Sequence, residues 1–118
     1  MVPQKEVFTL TTFEITLVHR FDQFDPRCFD DWFTMVAETF YDNSTITDQA
    51  LSTSLDVHEV ELSMTVTAEH DHAAAIIAIT ATHDALNTAA SGIVTMHEGF
   101  ALTLTVADED NPTGQDKT

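Results

Sequence analysis

The stretch DVHEVELSMTVTAEH, residues 56–70, alternates between apolar and polar side chains. One phase holds the apolar side chains of Val60, Leu62, Met64 and Val66, and the other holds glutamate, serine and threonine. A two-residue period is typical of a β-strand with one buried face and one face in water. The stretch therefore predicts a strand in a sheet that is covered on one side only.

Directly after this strand the hydrophobic period lengthens to that of a helix, in EHDHAAAIIAITATHDALN, residues 69–87. Its predicted buried stripe steps by three and four residues through Ile76, Ile79, His83, Leu86 and Ala90. Asp71 is the expected cap, flanked by the solvated imidazoles of His70 and His72, and Gly92 ends the helix. We therefore interpret the H-D-H triplet as a helix start, not as a metal site.

Upstream of the opening stretch, three segments predict a strand, a helix and a short strand, in that order. The segment VFTLTTFEITLVHRF, residues 7–21, changes phase near Thr11, where its strand either begins or carries a bulge. The segment DPRCFDDWFTMVAETFYDN, residues 25–43, carries a helical apolar stripe with Asp25 as the expected cap. The weakly patterned STITDQALST, residues 44–53, follows as a strand.

The segment GIVTMHEGFALTLTV, residues 92–106, returns to strand period and completes the order strand, helix, strand, strand, helix, strand. This is the split β-α-β order of ferredoxin-like domains. We predict an α+β fold of that class, with two helices on one face of an antiparallel sheet and the first and third strands adjacent in its centre. Residues 1–107 form one domain with an N-terminal arm at residues 1–10, and residues 108–118 form a disordered acidic tail.

The charge of the chain limits its partners. Among 118 residues, 20 are acidic and 4 are basic, which makes the net charge -16 at pH 7. Because this charge repels nucleic-acid phosphates and anionic lipid headgroups, neither direct nucleic-acid binding nor membrane binding is expected. The compatible partners are a protein with a basic surface, a cation, or another copy of the chain joined through an edge strand, unless the acid serves only solubility.

Several classes of site are not indicated. The single cysteine, Cys28, excludes an internal disulfide, and we expect it to be buried and structural on the first helix. There is no Gly-rich phosphate loop and no dinucleotide fingerprint, so no cofactor and no catalytic residue is predicted. The chain has no run of membrane-spanning length and its first residues lack a signal-peptide pattern, so a cytoplasmic location is expected.

Three histidines are the candidate site residues. Pairing Leu17 with Val60 in the sheet would place His19 opposite His58, close enough to share a proton or a metal ion. Paired imidazoles without a carboxylate or thiolate hold metal loosely, so this is either a loose transition-metal site or a pH-linked one. His83, on or beside the buried stripe, is either a hydrogen-bonded core histidine or a pH-sensing or ligand-facing group in a cleft.

The segment ELSMTVTAEHDHAAAIIAITATHDAL, with its Asp-capped, alanine-rich helix and no lysine, resembles small acidic uncharacterised proteins of actinobacteria and their phages. The likeness covers about residues 12–106 in pattern and implies no function. From charge and fold we predict a non-enzymatic protein-interaction module, such as a phage-encoded modulator or an assembly component. The alternative is a small-ligand or metal-binding domain that uses a histidine-lined cleft.

Overall fold

The computed structural model describes residues 10–25, 27–89 and 94–107, with the backbone alone at residues 24, 88–89 and 94–98. Most of the predicted arm and all of the predicted tail lie outside the described residues, as does Gly92. The described elements are β1 (Thr11–Phe24), α1 (Phe29–Tyr41), β2 (Thr47–Ser54), β3 (Glu59–Ala68), α2 (Asp71–Ala89) and β4 (Val94–Val106).

The four strands form one antiparallel sheet in the order β2-β3-β1-β4. This confirms an α+β fold in which β1 and β3 are neighbours in the centre, with β2 and β4 at the two edges. The arrangement is compatible with the ferredoxin-like one that the sequence predicts. β1 begins at Thr11, one of the two alternatives that the sequence leaves open near that residue.

One face of the sheet and both helices enclose a single hydrophobic core. Its largest fully buried apolar side chains are Trp32, Phe21, Phe40, Ile15, Leu17, Leu62, Val36, Val60 and Val66. The opposite face of the sheet is polar, with Glu14 and Glu61 exposed. On that face the Thr16 and Ser63 hydroxyls lie 3.2 Å apart. The prediction of a sheet covered on one side is therefore confirmed.

The register between β1 and β3 differs from the predicted one by two residues. Leu17 lies opposite Leu62, and His19 lies opposite Val60 and not opposite His58. A shift of two residues keeps every side chain on the same face, so the hydrophobic pattern is satisfied equally well by both registers. The turn before β3 selects between them, because the His58 carbonyl accepts a hydrogen bond of 2.9 Å from the Phe21 N–H.

The buried face of α2 agrees only in part with the predicted stripe, since Leu86 is buried and Ile79 is half-buried against the core. Ile76 is 53% exposed and His83 is exposed. The buried side chains of this helix are mostly small: Ala74, Ala78, Ala81, Thr82, Ala85 and Leu86. Because aromatic side chains such as Trp32 and Phe40 of α1 already fill much of the core, the helix that packs against them presents its smallest side chains.

Neither aspartate that the sequence predicts as a cap makes a capping hydrogen bond. The N-cap position of α1 is Cys28, which has no side-chain cap, while Asp25 accepts a hydrogen bond of 3.0 Å from the Arg27 N–H. At the start of α2 the cap is the imidazole of His70, whose Nδ1 accepts a hydrogen bond of 3.1 Å from the Ala73 N–H. His70 thereby satisfies one of the first N–H groups of the helix, as an aspartate cap would.

Replacing His70 with alanine is expected to lower the free energy of unfolding by about 1 kcal/mol, because the Ala73 N–H loses its acceptor. Urea unfolding would measure the change. His72→Ala is the matched control, since His72 is exposed and makes no capping bond. Equal losses in the two variants would contradict the assignment of His70 as the cap.

Candidate functional site

The structure pairs His19 with a different histidine from the one predicted. The ring of His19 stacks on Phe100 of β4, with ring centroids 5.1 Å apart. Its electrostatic neighbour is His83 of α2, whose charge disfavours a proton on His19. His19 therefore lies between two influences, with the Phe100 ring of β4 stacked on it and the charge of His83 acting from α2, a helix that packs on β3 and β1.

His58 has a structural position in the turn between β2 and β3. Its backbone is left-handed, with φ of 55°, and its ring lies parallel to Phe21 at a centroid distance of 5.2 Å and an angle of 7°. The ring packing and the backbone hydrogen bond to Phe21 hold the turn against the end of β1. His58 therefore stabilises the turn before β3.

Burial and charge keep His19 neutral. The pKa of His19 lies below its ordinary value of 6.5, first because burial disfavours the imidazolium and second because of repulsion from His83. The Nε2 atom is buried and has no hydrogen-bond partner among the described residues. The unfolded chain binds a proton at His19 more readily than the folded chain does, because the pKa of His19 is lower in the folded state. The stability that neutral His19 contributes is therefore complete above pH 6.5 and is lost as the pH falls toward the lowered pKa.

The described residues contain no group of three or more His, Cys, Asp or Glu side chains that could hold a metal ion. The H-D-H triplet is used at the helix start, as predicted, although His70 and not Asp71 is the cap. Cys28 precedes α1 instead of lying on it and is half-buried, with its Sγ 3.9 Å from Asp25 Oδ2. The predicted buried position of this cysteine on the helix is therefore wrong.

The two edges of the sheet differ in how well they are protected against another strand. The β2 edge is short and polar, and its pairing with β3 is interrupted between Thr47 and Ala50, where Asp48 has a left-handed φ of 53°. In β4, by contrast, the segment FALTLTV from Phe100 to Val106 contains no charge and no proline. Charges, prolines and bulges are the usual means of blocking edge pairing, so this part of β4 is an open edge.

The core-facing side chains of β4 are incompletely covered. Register with β1 places Leu102 opposite Leu17 and Leu104 opposite Ile15, on the face that carries the core. Leu102 and Leu104 are half-buried, whereas Phe100 is 44% and Val106 60% exposed. The helices pack mainly on the other three strands. These four side chains form an apolar row, with the His19–Phe100 stack at one end, that the described residues cover only in part.

Among the described residues, no strand pairs with the side of β4 that faces away from β1. The Ala107 N–H donates to the Thr12 carbonyl at 2.8 Å, so its amide points toward β1. Direction alternates along a strand, and the amides of Leu102, Leu104 and Val106 therefore point away from β1, toward the free edge. We call the segment Phe100–Val106, with its apolar row and outward amides, the β4 edge.

The sequence offered an edge strand or a helix face for a partner contact, and an edge strand or the N-terminal arm for self-association, and did not identify β4. The uncharged run from Phe100 to Val106 is not a sufficient signal, because Gln49–Leu55, which includes most of β2, is uncharged over the same length. None of the helices described is both long and apolar enough to cross a membrane. In comparisons with known proteins, no family model, no curated protein and no solved structure matches this chain.

Proposed function

We propose that this protein is a non-enzymatic interaction module that binds an extended segment of a basic partner protein as an additional strand beside the β4 edge. The observation that carries the proposal is the coincidence of outward amides and an uncovered apolar row on Phe100–Val106. In strand addition, backbone hydrogen bonds supply affinity and alternate side chains supply specificity. The strand order β2-β3-β1-β4 suits this role because it leaves β4 at an edge of the described sheet.

Charge selects the kind of partner. Each chain carries a net charge of -16, so pairing two copies at this edge would bring two strongly acidic molecules together. A partner segment with apolar residues in alternation and lysine or arginine at its ends would cover the apolar row and be attracted by the carboxylates. A phage-encoded modulator or an assembly component would make such a contact.

A synthetic peptide KKVTLTVKK, labelled for fluorescence anisotropy, is the probe for this proposal. We expect it to bind the wild-type chain at low salt at least about tenfold more tightly than the acidic peptide EEVTLTVEE, because of charge complementarity. Equal binding of the two peptides would overturn the basic partner. If the chain forms a concentration-dependent dimer and does not bind the peptide, self-association would replace the basic partner as the function of this edge.

A lysine placed on the edge tests the location. Val106→Lys is expected to weaken KKVTLTVKK binding at least about tenfold, since an edge lysine both repels the basic peptide and blocks strand pairing. Ser52→Lys, on the exposed part of β2, is the matched control because it adds the same charge at the other edge. If Ser52→Lys weakens binding as much as Val106→Lys does, charge alone and not the β4 edge explains the affinity.

A metal or small-ligand site is a second candidate function, favoured by the neighbouring imidazoles of His19 and His83 and by the unpartnered Nε2. Two imidazoles are fewer than the ligands of a structural zinc site, so solvent or a partner would complete the coordination. Titration with Zn²⁺ while following histidine ring NMR signals decides it. Unshifted His19 and His83 signals would exclude this second function.

A further inference from the structure

We propose that the stack of His19 on Phe100 is a proton-sensitive contact that controls the order of the β4 edge, so that proton uptake by His19 moves its ring away from Phe100 and loosens the segment that follows. Any effect of this loosening on partner binding rests on the proposed function. The loosening itself belongs to the free chain and is measurable without a partner.

The position of the His19–Phe100 pair makes it suited to this role. It is the last regular pair between β1 and β4, because beyond it Phe21 pairs with Met96 and the register shifts. The ring stacking at 5.1 Å therefore holds one end of the regular ladder that carries the β4 edge. Phe100 is also the first residue of that edge, so movement of its ring uncovers the edge at its beginning.

Neither of the residues directly opposite His19 in the described strands is acidic. In the described part of the chain, β3 presents Val60 and β4 presents Phe100. From α2, His83 acts on it, and the His83 ring is held by the Asn87 side-chain amide at 3.1 Å. The strand neighbour Arg20 and its partner Glu59 lie in the opposite phase of the strand.

Protonation of His19 would leave a buried Nε2–H without an acceptor among the described residues. This favours movement of the His19 ring into water, where the imidazolium is hydrated. Leaving that position breaks the stack on Phe100. The expected consequence is local fraying of β4 while the β1–β3 pairing is kept, since free energies of local opening differ between elements.

The experiment is amide hydrogen exchange of the free, full-length chain at about pH 7.5 and about pH 5, with rates corrected for intrinsic exchange. The probes are the amides of Ala101, Thr103 and Thr105, which point toward β1. We expect their protection factors to fall at least about tenfold more than those of β3 on acidification. His19→Phe keeps an aromatic ring but cannot take up a proton. In this variant the greater loss of protection in β4 than in β3 on acidification is expected to disappear.

A second variant keeps the test decisive if His19→Phe folds poorly. His83→Gln removes the repelling charge and is expected to raise the pKa of His19, measured by ring NMR, and to move the fraying to higher pH. Unchanged protection of β4 in the wild type, or equal loss in β3 and β4, would overturn the proposal. Failure of KKVTLTVKK to bind at any pH would overturn the proposed function and leave a positive exchange result standing.

Discussion

Phe21→Ala is expected to lower the free energy of unfolding by about 3–5 kcal/mol, the largest single effect we predict. Phe21 is only 2% exposed. Its ring lies 5.5 Å from that of Phe29, 6.4 Å from that of Trp32 and 5.2 Å from that of His58, measured between centroids. Removing it opens a cavity between β1 and α1 and also releases the turn that sets the strand register.

Urea unfolding of Phe21→Ala should show a lower midpoint with an unchanged m value, as expected for a loss of stability in the same fold. Phe100→Ala is the control, because Phe100 is 44% exposed and its removal should cost only about 1 kcal/mol. Similar losses in the two variants would contradict the placement of Phe21 in the core and of Phe100 at its border.

Ala78→Leu is expected to lower the free energy of unfolding by about 1–3 kcal/mol, because Ala78 is fully buried and three additional carbons have no space. Ile76→Leu, a change of shape at a side chain that is 53% exposed, should alter it by less than about 0.5 kcal/mol. Thermal or urea unfolding of the two variants shows whether the alanine face or the isoleucine face of α2 is buried. The opposite ranking would mean that α2 packs as its isoleucine stripe predicts.

The elements and the covered face of the sheet could be predicted because periods of two and of about 3.6 residues are visible in the chain. The register could not, because pairing Leu17 with Val60 or with Leu62 gives the same apolar face. The choice depends on the left-handed backbone of His58, a conformation that few non-glycine residues adopt and that the apolar pattern does not reveal.

The buried face of α2 escaped prediction for a different reason. Alanine and isoleucine alternate on most sides of this helix, so apolarity alone does not choose a face. The choice is made by volume, because Trp32 and Phe40 already occupy the space that a row of isoleucines would need. The proximity of His19 to His83 depends on that rotation, and it was therefore also beyond the sequence.

The β4 edge could be predicted only in part. The uncharged run from Phe100 to Val106 is visible in the sequence, but its exposure depends on the strand order and on where the two helices lie. An uncharged strand in the centre of the sheet would be ordinary core. The same run at an edge that the helices cover incompletely is a surface for another chain.

Hydrogen exchange of the complex with KKVTLTVKK tests strand addition at the β4 edge most directly. Because the amides of Leu102, Leu104 and Val106 point to the free edge, we expect their exchange to slow at saturating peptide. The inward amides of Thr103 and Thr105 should change little. Unchanged exchange at Leu102, Leu104 and Val106, or new protection on β2 instead, would contradict the proposed interaction.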